Sequence, residues 1–123
     1  MILKMNLVKA YDKVIWVFLR LILLQFGLPF EVVEWIMGWV SSTCFVVLFN
    51  RNPIGFIKSE RGLRQGCPLS PLLFLLVIEG LSRIFIDTKR RGKLFGVKIN
   101  LTQFTTHILF VDDVILFGNG SYV

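Results

Sequence analysis

The apolar and polar positions of the chain fall into blocks of different period. Residues 2 to 8, ILKMNLV, alternate well enough for a strand. From Lys13 to Phe26 the run KVIWVFLRLILLQF is apolar nearly all round and predicts a buried helix. Asp12 suits its N-cap, and Gly27 followed by Pro29 suits its stop. FEVVEWIMGWV predicts a second helix with Glu31 and Glu34 on one side. TCFVVLF is β-branched and aromatic, hence a strand; NRNPIG turns it, and FIKSE pairs back as a hairpin. RGLRQGCPLSP is loop by its Gly and Pro content. Pro68 or Pro71 then suits the first turn of a helix that runs through LLFLLVIEGLSRIFID to about Lys89. LFGVKI gives one more strand, and THILF, VDD and VILF read as strand, tight turn, strand. The order predicts an α+β fold, an antiparallel sheet packed on helices.

Composition changes that picture in two ways. At 123 residues, without repeat or linker, residues 1–123 are expected to form a single domain. The chain is also greasy, with 54% hydrophobic residues and twelve Phe. The longest run free of charge, Trp35 to Asn50, has 16 residues and includes Ser41, Ser42 and Thr43. A spanning helix wants roughly 20 apolar residues, so no segment is expected to cross a membrane. Lys4, Lys9 and Lys13 interrupt the place where a signal peptide keeps its apolar stretch. Cys44 and Cys67 form no metal-ligand spacing and fit free thiols. These features together predict an intracellular chain.

The charge balance is +6, with a pI near 9.8. The cations gather at Arg51, Lys58, Arg61 and Arg64, then at Lys89, Arg90, Arg91, Lys93 and Lys98. Such a balance suits a polyanion partner, or a solvated face that keeps a greasy chain in solution.

Candidate chemistry sits in HILFVDDVILF, residues 107 to 117. Asp112 and Asp113 are adjacent inside an otherwise apolar stretch, where unpaired charge is costly. A hairpin tip lifts both out of the core. Adjacent carboxylates suit Mg²⁺, which takes oxygen ligands from one or two carboxylates plus substrate phosphates. Asp also tolerates turn geometry for its own sake, so spacing leaves both readings open.

Three blocks carry a resemblance. FVDD between apolar strands resembles the F/Y-x-D-D box of reverse transcriptases, RGLRQGCPLSPLLF their glutamine-glycine loop, and MNLVKAYDKVIW their opening palm block. GLPFEVVEWI and VLFNRNPIGFIKSERGLRQG are similar to the spacers of LINE-type (non-LTR) retrotransposons, plant ones especially. The resemblance covers nearly the whole chain. It implies a polymerase palm with an F-x-D-D hairpin, adding nucleotides to a primer on an RNA template with two Mg²⁺ ions. By resemblance Asp112 ligates metal and Asp113 ligates or supports it. Val111 lies beneath the primer end, Gln65 and Gly66 line the nucleotide pocket, and Tyr11 screens the sugar 2′ position. Arg61, Arg64, Lys89, Arg90 and Arg91 are expected to meet nucleic acid. RNA template, DNA primer and deoxynucleotide are the implied partners.

One position departs from the family pattern. The opening block runs Asp-x-x-Lys-Ala-Tyr/Phe-Asp, and counting back from Lys9 reaches Asn6. An amide thus stands where the family holds its third metal carboxylate. The resemblance also implies fingers and thumb outside this stretch, so the sequence reads as a partial domain and an inactive polymerase. The alternatives are a non-catalytic palm remnant that binds nucleic acid, and a small membrane-associated protein.

Overall fold

The computed structural model describes residues 1–118. In chain order the elements are β1 (Ile2–Asn6), a 3₁₀ helix (Ala10–Lys13), α1 (Trp16–Gln25), α2 (Phe30–Ser41), β2 (Cys44–Phe49) and β3 (Asn52–Lys58). There follow α3 (Leu69–Arg90), β4 (Val97–Lys98), β5 (Phe104–Thr105), β6 (His107–Phe110) and β7 (Asp113–Phe117). This is a mixed helix-and-strand chain with small antiparallel sheets. The backbone gathers into two compact units. One takes Met1–Ala10 with the described residues from Ile78 onward, the other Tyr11–Val77.

The second unit is held by helix packing. Leu19, Ile22 and Leu23 of α1 and Val33 and Val40 of α2 are buried, as are Val14, Leu63 and Leu73. Arg20 and Glu34 pair between the two helices at 2.5 Å. Gly27 ends α1 as expected. With φ +84° it sits in the left-handed region, its N–H bonds to the Leu24 carbonyl, and the Leu28 N–H reaches Leu23. That pair of bonds is a Schellman motif.

The start of α1 corrects an expectation. Asp12 is not its N-cap. Residues 10–13 wind as a 3₁₀ turn, and Ile15, without any side-chain cap, precedes the helix. The physical reason lies 50 residues downstream, in the loop before α3. The Leu63 and Gly62 N–H groups bond to the carbonyls of Tyr11 and Val14, both at 2.8 Å, and the Trp16 indole donates to the Gly62 carbonyl at 2.9 Å. The segment around Asp12 is therefore committed to that loop.

The hairpin in this unit turns more tightly than its sequence suggests. Asn50 and Arg51 both have positive φ, +48° and +64°, and Phe49 pairs directly with Asn52. A two-residue turn of this hand matches strand twist, so β3 starts at Asn52 and not at Phe56. The register shifts between Val47 and Leu48, beside Pro53, which has no N–H for the ladder. All thirteen residues of the two strands are exposed, Phe56 to 79%.

In the first unit the sheet order is β1-β7-β6, antiparallel throughout. Strand alternation gives it two faces. Val114, 1% exposed, lies on one face with Met5 and Leu109 opposite it. Lys4, Asn6, Asp113 and Phe110 lie on the other. The segment LFGVKI forms a shorter strand than expected, Val97–Lys98 paired to Phe104–Thr105.

Helix α3 corrects the length argument on which no segment is expected to cross a membrane. Its 22 residues include an 18-residue window of mean hydropathy 1.9, of which 17% is buried, so by length and composition it is long and apolar enough to cross one. Counting charge-free runs misses it because Glu79 and Arg83 interrupt the sequence; on the helix they pair at 3.1 Å, one turn apart. A packing helix satisfies the same two criteria.

Candidate active site

The Asp112–Asp113 pair does not sit symmetrically on a turn. Phe110 pairs with Asp113, so the turn itself is Val111–Asp112 and Asp113 is the first residue of β7. That corrects the expectation that both carboxylates are lifted out together. Val111 holds φ +51°, an outlier for a β-branched side chain. Asp112 is exposed, and its backbone carbonyl accepts the Leu7 N–H at 2.7 Å, tying the turn to the end of β1.

Asn6 faces Asp113 directly across the β1–β7 ladder. Its amide Nδ2 donates to Asp113 Oδ1 at 2.9 Å. Lys4, two residues earlier and hence on the same face, reaches Asp113 Oδ2 with Nζ at 3.2 Å. Each oxygen of Asp113 therefore has its own donor. The hydrogen bond from Lys4, then that from Asn6, hold the Asp113 carboxyl below its ordinary value of 3.8; desolvation opposes them weakly and the Lys4 charge assists. The side chains of Lys4 and Asp113 are 63% and 29% exposed, so solvent and salt screen the pair. Sequence reasoning missed Lys4. The signal available was its i, i+2 spacing from Asn6.

The Mg²⁺ ions implied by the resemblance can be tested against these groups. A two-metal site needs carboxylates that converge with free lone pairs. Here the Lys4 ammonium already balances the Asp113 charge, Asn6 turns a donor and not a lone pair toward it, and Asp112 is the one other carboxylate at this strand end. Among the described residues no three His, Cys, Asp or Glu side chains gather to hold a metal. The residues present do not fit the two-metal centre.

The other site residues fall into separate groups. In the second unit, Arg61, Arg64 and Gln65 line one cavity of about 820 Å³ together with Asp12, Cys44 and Phe45. Gly66, φ +79°, belongs to the same loop. Tyr11 packs its ring against Phe74, centroids 4.9 Å apart. In the first unit, Lys89 lies over the Phe104 ring and donates to the Phe104 carbonyl at 3.3 Å. Arg91 pairs with Asp87 at 2.8 Å, and Arg90 closes α3.

A cluster that the sequence did not suggest lies on the first unit's buried side. His107 Nε2 is 2.7 Å from Ser82 Oγ, and Nδ1 is 2.8 Å from Thr106 Oγ1. Phe85 packs on the imidazole at 5.0 Å, and burial lowers the His107 pKa below 6.5. A lone His in an apolar strand gives no sign of such partners.

Two comparisons bear on these residues. A family model described as reverse transcriptase (RNA-dependent DNA polymerase) matches residues 1–123. An uncharacterized mitochondrial protein of Arabidopsis thaliana is 43% identical over 72 residues, 56% of this chain. The chain covers 59% of that relative's length.

Proposed function

This chain belongs to the reverse transcriptase (RNA-dependent DNA polymerase) family, and from that premise we propose that it is part of a LINE-type polymerase palm that keeps the nucleic-acid-binding frame and has lost nucleotide transfer. The observation that carries the reading is the register of Asn6 against Asp113. In the family pattern the strand position beside the Asp pair supplies a third negative charge; here it supplies an amide. An amide can offer one neutral oxygen but cannot bridge two cations. Loss of a group of this kind costs roughly 10²- to 10⁴-fold in rate. The Arabidopsis relative supports a plant-type lineage, and the GLPFEVVEWI spacer supports the LINE assignment.

What remains for these residues is binding. Arg61 and Arg64 bring two cations to the Gln65 cavity, a suitable lining for phosphate. Tyr11 and Val111 keep their roles against sugar and primer end as parts of this proposal. RNA template, DNA primer and deoxynucleotide remain its partners, and Mg²⁺ the ion of its relatives.

The test separates the missing charge from everything else. Residues 1–123, placed within an active LINE-type polymerase, should leave primer extension on an RNA template nearly abolished. Asn6→Asp in that graft should restore extension by orders of magnitude, while Asp12→Asn should cost far less. Robust extension by the unrepaired graft would sink the proposal.

A further inference from the structure

We infer that Lys4 and the Asn6 amide together satisfy Asp113, so that this end of the sheet is complete without a divalent cation, and that Asn6→Asp alone makes it depend on one. The inference deepens the reading above but rests on register and distances, and its readout is cation binding rather than extension.

The argument begins with alternation. β1 puts Lys4 and Asn6 on one face, and its pairing with β7 sets Asn6 opposite Asp113 with Lys4 on the diagonal. The two donors then divide the carboxylate: Asn6 Nδ2 takes Oδ1 at 2.9 Å and Lys4 Nζ takes Oδ2 at 3.2 Å. One positive charge meets one negative charge, and a neutral N–H meets the other oxygen. Asn and Asp share a shape, but an ionised carboxylate has no hydrogen to donate. Asn6→Asp therefore turns the 2.9 Å hydrogen bond into a directly opposed pair of like charges, an arrangement that destabilises a ladder. With Asp112 on the adjoining turn, the strand end would then carry three carboxylates against a single ammonium. A hard cation with oxygen ligands is the ordinary relief for such a cluster. In the native sequence that demand does not arise, because the Lys4 ammonium balances Asp113 and the neutral Asn6 amide adds no negative charge beside it.

The experiment is thermal unfolding of the full chain with chelator and with millimolar Mg²⁺ or Mn²⁺, at matched ionic strength. The wild type should melt at the same temperature in both. Asn6→Asp should melt a few degrees lower in chelator and regain that loss with either cation. Should Asn6→Asp fail to fold in chelator, refolding it in Mn²⁺ and removing the ion supplies the same comparison. Titration of Mn²⁺ by electron paramagnetic resonance gives a second, independent measure. Asn6→Asp should bind Mn²⁺ at least about tenfold more tightly than the wild type, and Lys4→Met added to it should tighten binding again, since the competing ammonium is gone. Wild-type binding of Mn²⁺ that Asp113→Asn abolishes would overturn the inference, as would an Asn6→Asp variant that gains no cation response. Failure here with success of the graft would leave the family role of Asn6 intact while refuting the Lys4–Asp113 arrangement.

Discussion

Asn6 and His107 illustrate how one side chain can be fixed by groups far away in sequence. Asn6 meets Asp113 across 107 positions, and His107 meets Ser82 across 25. The imidazole lies between two hydroxyls that can each donate or accept, so a neutral ring is satisfied in either tautomer. Burial disfavours its charged form and lowers its pKa below 6.5. The unfolded state then binds more protons than the native state as pH falls, so stability must fall with it. Melting temperature should be level above the unfolded value near 6.5 and decline as pH drops through the lower folded pKa. His107→Gln should remove that decline while leaving any loss at more acidic pH, where carboxylates titrate. An unchanged profile would mean the ring is solvated in the native state.

At the scale of elements, the loop before α3 depends on one glycine more than on another. Gly62 and Gly66 both hold positive φ, +95° and +79°. A Cβ at Gly62 would meet the Asp12 Cα at 3.0 Å and the carbonyl oxygens of Tyr11 and Asp12 at 3.2 Å, whereas one at Gly66 would meet nothing within 4 Å. Gly66→Ala should therefore cost only the left-handed backbone, about 1–2 kcal/mol. Gly62→Ala adds crowding against backbone that cannot move without breaking the Leu63–Tyr11 and Gly62–Val14 hydrogen bonds. Overpacking of this kind costs about 1–3 kcal/mol more. Denaturant midpoints for the two variants should differ accordingly; equal losses would show that the loop relaxes freely away from the 3₁₀ turn.

For the whole molecule, net charge and apolar exposure are the governing quantities. A balance of +6 gives a field that attracts polyanions. Binding of a primed template should weaken linearly on a log–log plot against salt, because each phosphate contact releases counterions. Arg61→Gln with Arg64→Gln should lower that slope by about 2 without altering the melting temperature, since neither side chain has an ion-pair or hydrogen-bond partner among the described residues. A slope that stays the same would move the nucleic-acid contact away from the Gln65 cavity. Phe45, Leu48 and Phe56 in the second unit are open, as is Phe110 in the first, and exposed apolar area of this kind favours association with further protein surface.

The sequence by itself determined the three long helices and most strands, the Gly27 helix stop, the existence of the β2–β3 hairpin and the amide at position 6. Those features depend on neighbours within a turn or two: apolar period, glycine's access to positive φ, and the spacing from Asn6 to Lys9. The tertiary structure decided which donors Asp113 meets, why Asp12 does not cap α1, and what surrounds His107. Each of those rests on a partner from a distant segment, and strand register is a property of two segments together. Alternation puts Lys4 and Asn6 on one face wherever β1 pairs. Only its pairing with β7, five residues in register from Ile2–Phe117 to Asn6–Asp113, sets both donors on the two oxygens of one carboxylate.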